Sequence, residues 1–266
     1  MHGRDAVAEV LGLREQGLGA RRIAARTDLP VATVRDWLAG RVPRHSRPTG
    51  SEPRRACRRC GHERHRFADL PAAYVYLLGL YLGDGCISRH RRGVYRLRIF
   101  LDLRYPRIVD ECEEAIREVL PANAVNRRER RSNYVDRPES SNVEVSAFSK
   151  RWPCLIPQHG PGRKHRRPIV LTAWQRALLD RHPERMLRGL VHSDGCRFIN
   201  TGRGGWRCPR YGFVNSSEDI LRIFCDACDR LGLRWTEARK GTGAQTIYVS
   251  RRADVERMDG FIGPKA

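Results

Sequence analysis

The sequence predicts an α+β fold: a pseudo-twofold pair of αββαββα halves, preceded by a small all-α unit. Two observations predict the pair. A short apolar segment that ends in Asp-Gly occurs twice, as LLGLYLGDG at 77–85 and as LRGLVHSDG at 187–195. Each occurrence is followed by strands, an amphipathic helix, further strands and a last helix in the same order. A third observation, the helical spacing of apolar residues over positions 5–39, predicts the all-α unit.

The composition indicates that the partner is a polyanion. The 266 residues carry a formal net charge of +21, and 51 Lys and Arg stand against 30 Asp and Glu. An excess this large favours DNA or RNA as the partner. The longest apolar run, around positions 74–82, is shorter than the roughly 20 residues of a membrane-spanning helix.

The N-terminal stretch MHGRDAVAEV lacks the continuous apolar core of a secretory signal. We therefore expect a cytoplasmic, nucleoid-associated protein that acts as a monomer. In a reducing compartment the nine cysteines are expected to be thiols or metal ligands rather than disulfides. The chain shows neither an intein's flanking nucleophile nor its terminal His-Asn, so we expect a free-standing protein.

Residues 1–40 are predicted to form three short helices. The apolar residues Val7, Val10, Leu11 and Leu13 share one helical face, Ile23 and Ala24 lie on a second helix, and LPVATVRDWLAG opens a third. This arrangement resembles a helix-turn-helix of the resolvase or transposase kind, which implies that Ala32, Thr33 and Arg35 face the major groove. The alternative is a helical protein-interaction module.

Residues 41–71 are predicted to be a basic linker that lies along phosphates or enters a minor groove. It contains CRRCGHERH, in which Cys57 and Cys60 have the spacing of half a zinc knuckle and His62 or His65 supplies a further ligand. Cys57, Cys60 and His65 are the candidate Zn²⁺ ligands, although no second separated pair follows at the usual distance. The alternative is a pair of reduced surface thiols.

The two predicted halves span 72–168 and 169–266, and Asp84 and Asp194 lie 110 positions apart. In the first motif Gly79 and Gly83 are four apart on one helical face, and Gly189 and Ser193 repeat that spacing in the second. Small residues so spaced let two helix backbones approach closely. We therefore expect the two motif helices to pair and their last turns to meet.

Asp84 and Asp194 would then lie together at the negative ends of two helix dipoles, where carboxylates are disfavoured. A divalent cation such as Mg²⁺ is the simplest compensation, because carboxylate, water and phosphate oxygens are its preferred ligands. Gly85 and Gly195 are expected to be left-handed helix C-caps. The alternative is that each Asp merely helps to cap its helix.

The doubled motif with these acids resembles the LAGLIDADG family of homing endonucleases, in the single-chain form with two motifs, over about residues 72–265. The resemblance implies a saddle whose antiparallel strands grip the major groove of double-stranded DNA and whose motif helices form the central interface. It also implies that Asp84 and Asp194 bind Mg²⁺ and that each acts on one strand of the DNA. The chain is thus expected to be a sequence-specific DNA endonuclease that hydrolyses phosphodiesters by two-metal chemistry.

The family often adds a lysine near the cut. Lys164 in GPGRKH and Lys265 in FIGPK lie at matching ends of the two copies. A lysine can lose its proton where an arginine cannot, so Lys164 is the catalytic candidate, and Lys265 is the weaker one because it is the penultimate residue. Phosphate contact alone is the alternative for both.

The basic residues are expected to form a DNA surface. The alternation in VYRLRIFLDL puts Arg96 and Arg98 on one strand face, and further basic clusters follow at 127–131 and 203–210. Most of them should contact phosphates and make the affinity salt-dependent. The predicted DNA-binding residues are Thr33, Arg35, Arg96, Arg98, Arg127, Arg128, Arg130, Arg131, Arg203 and Arg207.

The second motif departs from the family pattern, because Arg188 and His192 stand where the family usually has apolar or acidic residues. They are expected to face solvent or to lie near DNA. The rival hypothesis is a transcription regulator that uses the same saddle for DNA binding with little or no cleavage, and the N-terminal helix-turn-helix favours it. An RNA splicing cofactor of the maturase kind is a third possibility.

Overall fold

The computed structural model describes residues 4–42, 56–62, 65–131, 141–239, 245–263 and 265, and at 130, 131, 141, 203 and 239 it describes the backbone alone. The chain forms two compact units, Met1–Cys57 and Arg58–Ala266. Residues 43–55 of the expected basic linker lie outside the described residues. Within the described ranges no helix has the length and apolarity that crossing a membrane requires.

The first unit contains three short helices, α1 (Arg4–Glu15), α2 (Ala20–Thr27) and α3 (Val31–Leu38). Asp28 ends α2 in the left-handed conformation, with φ of 53°, and its backbone N–H donates to the carbonyl of Ala24. The apolar faces of the three helices form a small core of their own, made by Val7, Val10, Leu13, Ile23, Ala24, Leu29, Val34 and Trp37. The three helices expected over positions 5–39 are therefore present.

The second unit consists of two halves with the same succession of elements. The first half contains α4 (Ala72–Asp84), β1 (Gly85–Arg89), β2 (Tyr95–Asp102), α5 (Pro106–Val119), β3 (Val125–Arg131), β4 (Ser141–Ser149) and α6 (Trp152–Leu155). A connecting helix, α7 (Ala173–Arg181), follows. The second half contains α8 (Pro183–Asp194), β5 (Gly195–Thr201), β6 (Arg207–Asn215), α9 (Glu218–Arg230), β7 (Thr236–Arg239), β8 (Gln245–Val249) and α10 (Arg252–Ile262). The predicted α+β fold with two αββαββα halves is confirmed.

Each half forms one antiparallel sheet, and the strand orders match: β1-β2-β4-β3 in the first and β5-β6-β8-β7 in the second. The registers match as well, since Gly85 pairs with Ile99 and Gly195 pairs with Phe213. Strand β2 alternates as predicted, with Leu97, Ile99 and Leu101 buried and the arginines between them on the opposite face. The period-two pattern is sufficient to orient this strand because one face packs on helices.

One apolar core runs through both halves, with α4 and α8 at its centre. Every residue of α4 from Tyr74 to Leu82 is buried. A helix that is apolar all round must be covered on all sides, and a single half leaves one side of its motif helix exposed. The motif helix α4 is therefore fully buried only when the two halves pair.

Helix α7 is an addition that the repeat does not contain. It begins at a capping box in which Thr172 and Gln175 satisfy each other's backbone N–H groups. Trp174 of α7 stacks on Phe67 with ring centroids 4.2 Å apart, and buried Gln175 donates to the hydroxyl of Tyr74. The connection between the halves is thereby packed against the motif helix.

Candidate active site

The site lies where α4 and α8 approach each other closely, an interface called the seam below. A Cβ on Gly79 would lie 2.9 Å from Gly189 Cα, and a Cβ on Gly189 would lie 2.3 Å from the carbonyl oxygen of Tyr76. A Cβ on Gly83 would lie 2.2 Å from Ser193 Oγ. The structure thus brings the small residues of the two motifs face to face. Only glycine fits at 79 and 189, because the opposing atoms belong to the backbone and cannot move aside.

Asp84 and Asp194 end the two motif helices at this seam. Oδ2 of Asp194 lies 2.9 Å from the place of a Cβ on Gly83, the residue before Asp84. Burial raises the pKa of Asp84 to about 6, and the charge of Asp194 adds to the rise, while Lys164 and Lys265 oppose it. The structure therefore brings the two acids together in surroundings that disfavour two bare negative charges.

Burial also raises the pKa of Asp194, and the charge of Lys164 and a hydrogen bond from Asn215 oppose the rise. Asn215 Nδ2 donates to Asp194 Oδ2 at 2.8 Å. In the described part of the chain no side chain donates a hydrogen bond to Asp84; the strand register puts Leu101 at the position equivalent to Asn215. The two acids thus have different hydrogen-bond partners. The sequence did not predict the role of Asn215, because its contact with Asp194 depends on how β6 pairs with β5.

Lys164 and Lys265 lie at equivalent places beneath the two helix ends. Lys164 Nζ donates to the carbonyls of Tyr81, Gly83 and Gly85, at 2.6 Å for the first and 3.0 Å for the last. Burial lowers the pKa of Lys164 to about 8, and the two acids oppose that shift. All three donors of an ammonium are used in this arrangement, so the geometry favours a positioning role over proton transfer.

Gly85 and Gly195 are not left-handed caps, and that expectation is wrong. Their φ angles are −95° and −103°, and each begins a strand directly after its motif helix. A Cβ on Gly85 would lie 2.5 Å from Tyr81 Cα, and one on Gly195 would lie 2.6 Å from Val191 Cα. Glycine is required there because the chain reverses tightly against the preceding helical turn.

Arg188 and His192 are internal rather than exposed to solvent. Arg188 Nε and Nη2 donate to the two carboxylate oxygens of Glu111 on α5, at 2.6 and 2.7 Å. His192 is buried, with Nδ1 2.9 Å from the Tyr76 hydroxyl, and burial lowers its pKa to about 4. The two residues therefore link α8 to the first half, where the first motif has the buried leucines Leu78 and Leu82.

Within the described residues of the second unit, each sheet has one face on which no helix packs, and arginines line it. On the first sheet, Arg96 lies over the Phe148 ring at 5.2 Å and Arg98 over Phe100 at 5.7 Å. On the second sheet, Arg210 lies over Tyr248 at 5.8 Å. Nε of Arg96, Arg98 and Arg210 is buried and has no hydrogen-bond partner among the described residues. Nη2 of Arg96 donates to Glu144 Oε1 at 2.5 Å and to Ser146 Oγ at 3.1 Å.

The structure divides the other predicted DNA-binding residues. Arg128 is exposed on β3 and Arg35 on α3, whereas Thr33 is half-buried. Arg127 lies on the helix side of β3, where it pairs with Asp110 of α5 at 3.0 Å. Arg207 also lies on the helix side of its strand, in a cavity bordered by α10 residues. The side chains of Arg130, Arg131 and Arg203 lie outside the described residues.

Three of the cysteines and one histidine form a cluster. The ligand atoms of Cys57, Cys60, His65 and Cys154 all lie within 4.8 Å of one another. Cys57, Cys60 and His65 were candidate ligands, and Cys154 was not; His62 is not part of the group. This cluster has the composition of a metal site. Cys228, in contrast, lies in the apolar core of α9, with Cys225 packed against it, as their helical spacing indicates.

No family model and no curated protein matches the sequence. Among solved structures, the chain is similar to mesophilic variants of the homing endonuclease I-DmoI, with 15% identity over 75% of this chain and 97% of that chain and a TM-score of 0.45. It is also similar to the N-terminal LAGLIDADG domain of DUF199/WhiA, with 12% identity over 74% and 86% and a TM-score of 0.44. It is similar as well to full-length DUF199/WhiA from Thermatoga maritima, with 11% identity over 75% of this chain and 59% of that chain and a TM-score of 0.45.

Likeness at this level concerns the course of the chain. The paired motif helices and the two αββαββα halves with matching sheets give this chain a LAGLIDADG-type fold.

Proposed function

We propose that this protein is a sequence-specific endonuclease that hydrolyses phosphodiester bonds of double-stranded DNA with a divalent metal ion, Mg²⁺. The observation that carries the proposal is the meeting of Asp84 and Asp194 at the seam of two halves that each present arginines on a helix-free sheet face. One acid from each half, at one axis, suits a substrate with two antiparallel strands.

The residues at the seam fit a hard divalent cation. Carboxylate oxygens are the ligands that Mg²⁺ prefers, and two acids whose pKa values are raised by burial are relieved when a cation binds beside them. Asp84 and Asp194 would hold the metal. When bound, Mg²⁺ would stabilise charge on the phosphate and lower the pKa of an attacking water.

The surrounding residues of this chain position the acids. Asn215 orients the Asp194 carboxylate, while Lys164 and Lys265 hold the carbonyls at the ends of α4 and α8. Because a cation at a helix C-terminus offsets the negative end of the dipole, the lysines allow two acids to be placed there. Both lysines are therefore assigned as positioning residues.

The DNA surface is proposed to be the helix-free face of the two sheets. Arg96, Arg98 and Arg210 are held over aromatic rings, and Arg128 is exposed on the same face of the first sheet as Arg96 and Arg98. A guanidinium on a sheet face without helices can bind phosphate or a guanine edge, and Arg96 would do so beside Glu144, to which its Nη2 donates. Arg127 is left out, because it lies on the opposite face of β3, where it pairs with Asp110 of α5.

The first unit is proposed as a second DNA-binding element. In α3, Arg35 is exposed and Thr33 half-buried, while Val34 and Trp37 face the core of the unit. A short helix with one buried and one polar face, preceded by a tight turn, has the form of a recognition helix. This unit supports the alternative function, a transcription regulator that binds without cutting, whereas the retained acid pair supports the nuclease.

Cleavage is tested by incubating the full chain with Mg²⁺ and a random-sequence duplex library and sequencing the cut ends. We expect recurrent cuts around one motif, which disappear with EDTA, with Asp84→Asn and with Asp194→Asn. Asp226→Asn, an exposed acid on α9, is the matched control and should cut as the wild type does. Specific binding without acid-dependent cuts would leave the regulator as the function.

A further inference from the structure

Outside the motif seam, a group of side chains of metal-binding type in the described residues lies around the turn at residues 58–60. Cys57 and Cys60 flank this turn, and His65 follows it by a few residues. Cys154 comes from the one-turn helix α6 of the first half. Cys60 Sγ lies 3.3 Å from His65 Nε2, and the ligand atoms of all four residues lie within 4.8 Å of one another.

These separations fit one tetrahedral ion. With Zn–S bonds of about 2.3 Å and a Zn–N bond of about 2.0 Å, tetrahedral angles put neighbouring ligand atoms roughly 3.5–3.8 Å apart. The ligand atoms lie within 4.8 Å of one another, so they need to move together by only about 1 Å to reach these distances. Three sulfurs and one imidazole nitrogen are the donors that select zinc over Mg²⁺ or Ca²⁺, which prefer oxygen.

The neighbours hold the ligands in place. The His65 ring stacks on Phe67 with centroids 4.9 Å apart, and Phe67 in turn stacks on Trp174 of α7. Helix α6 is fixed by Trp152, whose Nε1 donates to the carbonyl of Ala147 at 2.9 Å. Cys60 and Cys154 are buried, so the site is closed to solvent on that side. Supporting contacts of this kind orient ligands before a metal arrives.

The charge around the cluster suits an anionic metal centre. Three thiolates and a neutral imidazole with Zn²⁺ make a site of net charge −1. Arg58 and Arg59 stand between the two cysteines of the turn, and Arg151 lies close enough to act electrostatically on His65. Cationic side chains beside the cluster offset the negative charge of such a centre, so this basic strip suits an anionic zinc site.

We propose that Cys57, Cys60, His65 and Cys154 form a structural zinc site. All four positions of the ion are taken by protein atoms, which leaves no open position for water or substrate and separates this site from the acids of the seam. The metal links the turn at 58–60 to α6, from which the chain continues to Lys164. Zinc therefore anchors the segment that carries a positioning lysine of the first half.

The site is tested on the full chain, expressed with zinc in the medium and analysed by inductively coupled plasma mass spectrometry. We expect about one zinc per chain for the wild type and for Cys208→Ser, a control cysteine outside the cluster, and a large loss for Cys57→Ser and Cys154→Ser. Because a Cys154 variant can misfold, cobalt replacement in the wild type is the second measurement. It should show thiolate-to-Co²⁺ charge transfer and the intense visible bands of tetrahedral cobalt.

Wild-type protein without bound zinc and without the cobalt spectrum would overturn the proposal. Zinc retained by a folded Cys154→Ser variant would exclude Cys154 as the fourth ligand and overturn the closed site. Neither readout depends on DNA cleavage, so the zinc site and the proposed nuclease activity can fail separately.

Discussion

Lys164 and Lys265 hold the ends of the two motif helices in the same way. Lys164 donates to the carbonyls of residues 81, 83 and 85, and Lys265 donates to those of residues 191, 193 and 195, each 110 positions later. A half-buried ammonium at each helix end offsets the negative end of the dipole where an acid also stands. The pseudo-twofold symmetry therefore extends from the motifs to the residues that support them.

Replacing Lys164 by Met should destabilise the protein, because three carbonyls lose a charged donor. Hydrogen bonds from a charged group and the helix-end charge favour Lys164 by about 2–3 kcal/mol, and the desolvation that lowers its pKa offsets part of this, so we expect a net loss of about 1–2 kcal/mol in the free energy of unfolding. Urea denaturation of Lys164→Met and Lys265→Met measures the loss. Lys150→Met, at an exposed lysine after β4, is the control and should change stability little. Equal stability of Lys164→Met and the control would contradict the capping role.

The acid pair should destabilise the metal-free protein at neutral pH. Burial raises the pKa of Asp84 to about 6 in the folded protein, against 3.8 ordinarily, so the ionised carboxylate is disfavoured on folding. Stability attributable to this group is therefore lost as pH rises from about 4 through 6 and regained as pH falls. We expect Asp84→Asn to raise the free energy of unfolding at pH 7.5 in EDTA by about 2 kcal/mol, and to have little effect near pH 4.

Thermal denaturation across this pH range measures the effect, and Asp226→Asn is again the matched control. Mg²⁺ should raise the Tm of the wild type, and it should raise that of Asp84→Asn less, because a cation ligand is missing. A stability of Asp84→Asn equal to that of the wild type at pH 7.5 would show that the carboxylate is not strained.

The seam should not tolerate a methyl group at Gly189. A Cβ there would lie 2.3 Å from the carbonyl oxygen of Tyr76, which is fixed in α4. We expect Gly189→Ala to cost about 3 kcal/mol or more, because two packed helices must separate. Gly260→Ala in α10 is the matched control: its Cβ would meet nothing within 4 Å, and helix propensity predicts a gain of up to about 1 kcal/mol. Chemical denaturation should give opposite signs for the two variants.

Glu111 of the first half and Arg188 of the second half should be energetically coupled. Their side chains are 22% and 24% exposed, and the contact is bidentate. A double-mutant cycle of Glu111→Gln and Arg188→Gln should give a coupling of about 1–3 kcal/mol. The exposed pair Glu218 and Arg222 on α9 should give about 0.5 kcal/mol or less in the same experiment. A coupling no larger than that of the surface pair would show that the half-buried contact does not stabilise the interface of the halves.

Two neighbouring arginines should differ in DNA binding. Arg128 points to the helix-free face of β3, and Arg127 pairs with Asp110 on the other face. We expect Arg128→Ala to weaken binding to duplex DNA and to lower the slope of log K against log salt by about one. Arg127→Ala should leave that slope unchanged. Fluorescence anisotropy at several salt concentrations measures both, and equal slopes for the two variants would contradict the proposed face.

Much of the fold could be predicted because it depends on patterns that are local in the sequence. The two Asp-Gly motifs, the small residues four apart and the alternation in β2 are periodic features, and periodicity decides which face of an element is buried. The close approach of Gly79 and Gly189 followed from this pattern alone. The pairing of the halves followed as well, because a motif helix that is apolar all round needs a second half to cover it.

Other features depended on partners far apart in the chain. Asn215 supports Asp194 because β6 pairs with β5 in one particular register, and Cys154 joins residues 57–65 because α6 packs beside them. Arg127 and Arg207 were expected to bind DNA because they are basic, but the side of the strand on which they lie was decided by the sheet.

The sequence by itself determined the repeat, the burial of the motif helices and the presence of one acid in each half, since these depend on residue type and spacing. Tertiary structure alone decided that Lys164 and Lys265 cap helices, that Arg188 meets Glu111, and that Gly85 and Gly195 serve tight packing rather than a left-handed turn. The physical reason is that hydrogen bonds and ion pairs are short-ranged and directional. Which polar groups satisfy one another is therefore set by strand register and helix crossing, not by spacing along the chain.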